Sequence, residues 1–181
     1  MPESRARIAR GALAGAVAAT VWGLQQPFDQ RLFGVRYDDC AVLGKAVTGG
    51  RATVPVGWAL HAVNGAAFGA AYAVLAPRLP VPPAARGPLA GLAEHAASWP
   101  LTAVLPRVHP RAGEFPPLRG SRRALAQATW RHLLFGTILG ELERRLNGPE
   151  DAVPGPPSEE VAASNGHGSL EHAVVGIVQP R

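Results

Sequence analysis

Charged residues leave four long gaps in this chain. No Asp, Glu, Lys or Arg falls between Arg10 and Asp29, or between Arg51 and Arg78. Glu94 alone interrupts the stretch from Arg86 to Arg107, and Arg131 alone that from Arg123 to Glu141. Each window holds about 17 to 26 residues, enough helix at about 1.5 Å per residue to cross about 30 Å of hydrocarbon. Pro27, Pro55, Pro77 and Pro106 sit at window edges, while Pro100 lies inside the third and is expected to kink or end its helix. The pattern predicts an all-α fold, a polytopic membrane four-helix bundle with spans at about 8–27, 55–77, 87–106 and 124–143. A soluble bundle is the competing reading, because Ala and Gly add little to insertion. A soluble amphipathic helix, however, needs a polar face recurring at every turn, and residues 52–77 carry no charge at all.

The windows also repeat. Arg10-Gly11-Ala12-Leu13-Ala14-Gly15 returns as Arg86-Gly87-Pro88-Leu89-Ala90-Gly91, and His61, Gly65 and Gly69 return as His132, Gly136 and Gly140. Two copies of a helical hairpin follow, and because each copy crosses twice the repeats run parallel, about an axis along the membrane normal. The N-terminal run after Arg5, Arg7 and Arg10 also has the look of a signal peptide. The repeat argues against its cleavage, since it makes the first window the counterpart of the third.

Small residues recur four apart: Gly11 and Gly15, Gly65 and Gly69, Gly87 and Gly91, Gly136 and Gly140. In lipid, close backbone contact along such ridges holds helices together, so these eight glycines are assigned to helix packing. Neither a G-x-G-x-x-G nor a Walker sequence occurs to give them a phosphate-binding reading.

Each window has one tryptophan. Trp22 and Trp99 come late in windows one and three, Trp58 and Trp130 early in two and four. In an up-down-up-down arrangement all four reach one face, where indoles serve as interface anchors. The same alternation brings His61, His95 and His132 to one depth, with Asn64, Glu94 and Arg131 near them. Ionisable groups inside spans are costly and expect partners. One reading is structural: Glu94 pairs with Arg131 or a histidine, and the imidazoles hydrogen-bond across helices. The other is a site. Three imidazoles and a carboxylate can ligate a transition metal, His61 and His132 can be axial ligands of a haem, or the histidines can relay protons.

Charge and composition sharpen this picture. The net charge of +5 divides into +9 over residues 1–146 and −4 over 147–181. The second part is rich in Gly, Pro, Ser and Glu and reads as a disordered acidic tail, with His167 and His172 as solvated spacers. Arginines flank the spans, nine cationic residues at the Trp face against seven at the other, so they set no orientation. Anionic lipid headgroups are their expected partners. Nucleic acid is not, because the basic loops lack aromatics for stacking. The loop 29–51 is expected to hold a short amphipathic helix at the Trp-side interface, with Asp38 and Asp39 as a solvated cap. Cys40 is the sole cysteine, which excludes internal disulfides and multi-cysteine metal sites. No Ser–His–Asp, zincin or kinase motif appears, so no catalytic residue is assigned.

The glycine-ridged spans and the H-x-x-x-G-x-x-x-G hairpins at His61 and His132 loosely resemble the YagU-like group of small bacterial inner-membrane proteins, over about residues 8–146. The resemblance implies a four-helix membrane fold and no catalytic residue. The expected role is that of a multi-pass inner-membrane protein, structural or accessory, self-associating as a homo-oligomer through its small-residue ridges. A haem-, metal- or proton-handling membrane protein is the alternative.

Overall fold

The first helix outruns its predicted span. In the computed structural model, which describes residues 2–148, α1 covers Pro2–Phe33 and carries Pro27 in its interior. A proline there deprives the carbonyl four residues back of its N–H donor. That carbonyl belongs to Gly23, and the Gln26 side-chain amide supplies a donor at 3.5 Å. The chain then turns at Gly34, whose φ of +68° suits a residue without a Cβ.

Asp38 caps α2, Asp39–Val47, by accepting from the Ala41 amide at 2.8 Å. This is the expected short helix, and it packs on α3, Thr53–Leu75, where Gly44 and Gly57 let the two backbones touch. α4 spans Pro83–Ser98. Pro100 ends it: a five-residue 3₁₀ stretch, Trp99–Ala103, follows, and then the single turn α5, Leu105–Val108. The predicted span 87–106 is therefore not one helix, and the 16 residues of α4 reach only about 24 Å. Ser121 caps α6, Arg122–Asn147. The fold is all-helical, with six α-helices and no strand among the described residues. One helical stretch, Gly50–Arg78, is long and apolar enough to cross a membrane by length and composition. Asn147, read as the first residue of the acidic tail, instead closes α6, and the rest of that segment beyond Gly148 lies outside the described residues.

α1 packs against both α3 and α6, and α6 against α4, while α3 and α4 share no extensive contact. The glycine ridges sit at these crossings. A methyl group on Gly15 would overlap the Gly65 carbonyl, one on Gly69 the Gly11 carbonyl, and one on Gly87 or Gly136 the facing backbone of the other. All eight glycines are thus spent on packing within the chain. Between them lies a small core of Ala14, Ala18, Tyr72, Phe135 and Leu139. One end is tied by Arg7, which bonds the Ala73 carbonyl at 2.8 Å and Glu143 at 2.9 Å.

Candidate functional site

At the opposite end a buried ion cluster joins three elements. Arg131 of α6 is sequestered with Asp29 of α1, which has no exposed surface. Its Nε and Nη2 reach the two Asp29 carboxylate oxygens, each at 2.6 Å. Gln25 and Gln127 add donors to the same carboxylate at 2.6 and 2.8 Å, so Asp29 accepts from four groups. Arg131 also bonds Asp39 of α2 at 2.5 Å and the Tyr37 carbonyl at 3.0 Å. A bidentate guanidinium–carboxylate pair whose carboxylate oxygens each accept twice, and whose guanidinium makes two further bonds, is the arrangement that offsets the penalty of burying charge.

This overturns one expectation, since Asp39 is not a solvated cap, and it removes Arg131 from the two partners expected for Glu94. Of the cluster's two carboxylates only Asp29 has a signal in the sequence, as part of a stripe: Trp22, Gln25, Gln26 and Asp29 share one face of α1 at helical spacing, as Gln127 and Arg131 do on α6. Burial pushes the Cys40 thiol up to about 12, and the Asp38 and Asp39 carboxylates push it the same way, which leaves it unreactive at neutral pH.

Glu94 takes the other expected partner. Its Oε2 lies 2.5 Å from His132 Nε2, and His132 Nδ1 faces the Ala128 carbonyl at 2.7 Å. A carbonyl only accepts, so Nδ1 carries hydrogen, and the Glu94–His132 pair shares one further proton and is neutral overall. His95 Nε2 is 3.1 Å from the Thr129 hydroxyl. That hydroxyl donates to the Leu125 carbonyl at 2.9 Å, so it accepts from His95 Nε2–H, and the neutral ring leaves Nδ1 as an acceptor. His95 Nδ1 and His61 Nε2 are both buried without a hydrogen-bond partner. The Ala19 carbonyl faces the His61 ring, at the position that the repeat aligns with the histidines.

The three histidines do meet in one layer, but through aromatic rings. Trp22 stands edge-on to His61, with centroids 5.6 Å apart, and to His132 at 4.7 Å; His132 is 4.7 Å from His95. Trp22 is itself buried, and its indole N–H donates to Asp39 at 3.0 Å. It is an interior residue and not an interface anchor. Trp58 covers Gly23, Trp99 stands edge-on to His95 at 5.5 Å, and the exposed Trp130 donates to Gln25 at 3.1 Å. Asn64 is exposed at the rim.

A cavity of about 420 Å³ occupies the space where α3 and α4 stand apart, walled by residues of α1, α3, α4 and α6 with α2 and the loops. All six residues of the expected polar layer line it. As a metal or haem site it fits poorly. Among the described residues no three His, Cys, Asp or Glu side chains group as ligands, both nitrogens of His132 are engaged, and Trp22 lies against both would-be axial histidines. Compared with known proteins, the chain matches no family model, no curated protein and no solved structure.

Proposed function

We propose that the chain is a multi-pass membrane protein of structural or accessory role, in which α1, α3, α4 and α6 form a four-helix bundle locked by its buried polar layer. The observation that carries this reading is where the largest polar and apolar side chains sit. Of the four largest side chains fully removed from solvent, Arg131, Gln127 and Asp29 are polar, and only Leu139 is apolar. The outside carries Leu13, Leu24, Phe28, Val54 and Val63, the last two about two-thirds exposed at 66% and 65%. Water would drive the reverse arrangement; hydrocarbon tolerates it.

Hydroxyl groups fit the same solvent. Thr20, Thr129 and Thr137 each turn back to the carbonyl four residues earlier, at 2.7 to 2.9 Å, as a group without water must. α6 falls short as a span by composition, but its polar residues Gln127, Arg131 and His132 face inward and its other charges cluster at its ends. Inward polar groups add little to the transfer of a helix that inserts with partners. The short α4 would cross with the 3₁₀ turn and α5 behind it. The resemblance to YagU-like proteins points to a bacterial inner membrane, with anionic headgroups against the flanking arginines. Because the glycine ridges are occupied within the chain, a second copy would dock on the apolar outer faces.

Carbonate washing of membranes from cells expressing the chain tests this. The protein is expected in the pellet, and its release into the supernatant would sink the multi-pass reading.

A further inference from the structure

We propose that the cleft where the end of α1 meets the start of α6 holds the phosphate of one anionic phospholipid, whose acyl chain lies along α1. Arg31, Arg122 and Arg123 line this cleft of about 450 Å³ with Leu32, Phe33 and Gly34, and no carboxylate lines it. All three arginines are exposed, and none of their side chains enters an ion pair or hydrogen bond among the described residues. Elsewhere cations have partners: Arg7 has Glu143, Lys45 has Glu114, Arg131 has Asp29 and Arg144 has Glu141.

The guanidiniums come from two elements and converge. Arg123 Nη1 lies over Gly34, 3.5 Å from where a Cβ on that glycine would stand, at the turn that ends α1. Like charges gathered without a counterion repel. The two helix ends at the cleft are opposite in sign and offset one another, so the arginines set the field. What the cleft is short of is an anion, and a phosphate has oxygens enough for more than one guanidinium fork.

The surface beside the cleft says what the phosphate is attached to. Leu32, in its wall, begins a stripe that continues through Phe28 and Leu24, exposed at 63%, 63% and 67%. Four-residue spacing keeps the three on one face of α1. They extend about 12 Å at about 1.5 Å per residue, most of the half of an about 30 Å hydrocarbon core that one leaflet fills. A soluble phosphate compound would engage the arginines and leave the stripe bare, whereas a phospholipid engages both. Arg31 lies just past the expected span 8–27, and Arg122 and Arg123 just before 124–143, at headgroup depth. The lipid source of the phosphate therefore rests on the membrane reading above; the cleft's preference for an anion does not. The general expectation of anionic headgroups narrows here to one lipid at one site.

Native mass spectrometry of the full chain in an uncharged detergent tests the proposal, with palmitoyl-oleoyl phosphatidylglycerol titrated against the phosphatidylcholine of the same chains. One phosphatidylglycerol held per chain is expected. Its preference over the choline lipid, whose own cation would stand among the guanidiniums, should be about fivefold or more. Changing Arg31, Arg122 and Arg123 together to Gln should abolish that preference. The same change at Arg36, Arg107 and Arg119, exposed arginines outside the cleft, should preserve it within about twofold. Phe28→Ser should weaken retention of both lipids alike. If the first triple variant does not fold, stoichiometry and preference on the unaltered chain decide. Equal retention of the two lipids, or equal loss of preference in both triple variants, overturns the proposal. Glycerol phosphate displacing the lipid at equal concentration overturns the lipid source and makes a soluble phosphate compound the occupant. Release of the chain by carbonate would overturn the membrane reading; one phosphatidylglycerol still held by that released protein would leave this proposal standing.

Discussion

Arg131 is the residue on which the helices' relative placement turns, because its guanidinium holds α1, α2 and the loop carbonyl of Tyr37 at once. Removing one partner of a buried ion pair leaves the other uncompensated. Arg131→Met is therefore expected to cost about 3–5 kcal/mol, read as the shift of the denaturation midpoint in detergent. Arg131→Lys should recover less than half of it, since an ammonium cannot reproduce the paired contact with both Asp29 oxygens. A midpoint unchanged in Arg131→Met would contradict the clamp. The sequence marked Arg131 and Glu94 as charges needing partners, but not which ones. Glu94 lies one position from His95 in sequence, yet its contact is His132 across the helix interface. Asp29 meets Arg131 through the packing of α1 on α6, and Asp39 through the turn at Gly34 and the α2 cap.

At the scale of elements, the decisive feature is the backbone approach at each glycine crossing. Gly15→Ala pushes a methyl group into the Gly65 carbonyl, and overpacking of this kind costs typically about 1–3 kcal/mol. Gly113→Ala places its methyl in open space, with no neighbour within 4 Å, and should stay within about 0.5 kcal/mol. Thermal melts of the two variants side by side check this; since alanine is the better helix former, a Gly15→Ala variant no less stable than Gly113→Ala would show that the crossing is not tight. These ridges were readable from four-residue spacing alone, because that spacing keeps residues on one helix face. Helix ends were less so. Pro100 stops α4 as its chemistry demands, whereas Pro27 is carried through α1 with Gln26 beside the freed Gly23 carbonyl.

At the scale of the whole molecule, ions and amides make up three of the four largest wholly buried side chains among the described residues, while several valines and leucines stand outside. Val63 stands at the middle of α3 and is 65% exposed. Val63→Arg puts a charge at the middle of α3, which in a bilayer would cost about 2.5–3.5 kcal/mol. On a protein surrounded by water the same change would be close to neutral, within about 0.5 kcal/mol. The fraction of Val63→Arg recovered in carbonate-washed membranes is expected to fall well below that of the parent chain. Full recovery with unchanged stability would argue that this face meets water. Two polar ties, Arg7 to Glu143 at one end and Arg131 to Asp29 at the other, bracket a middle of glycine, alanine and a few aromatic side chains.

By itself the sequence determined the helical class, the positions of α3 and α6 within a few residues, the glycine contacts and the gathering of the three histidines. All of these follow from local periodicity, which fixes the face of a helix on which a side chain emerges. Tertiary structure alone decided which ion meets which, that Trp22 turns inward to Asp39, that α3 and α4 stand apart around a cavity, and that two imidazole nitrogens are buried unpartnered. Those outcomes depend on the angle at which helices cross and on the loops that return the chain. They arise from contacts between residues as far as 136 positions apart, a separation over which no local pattern carries information.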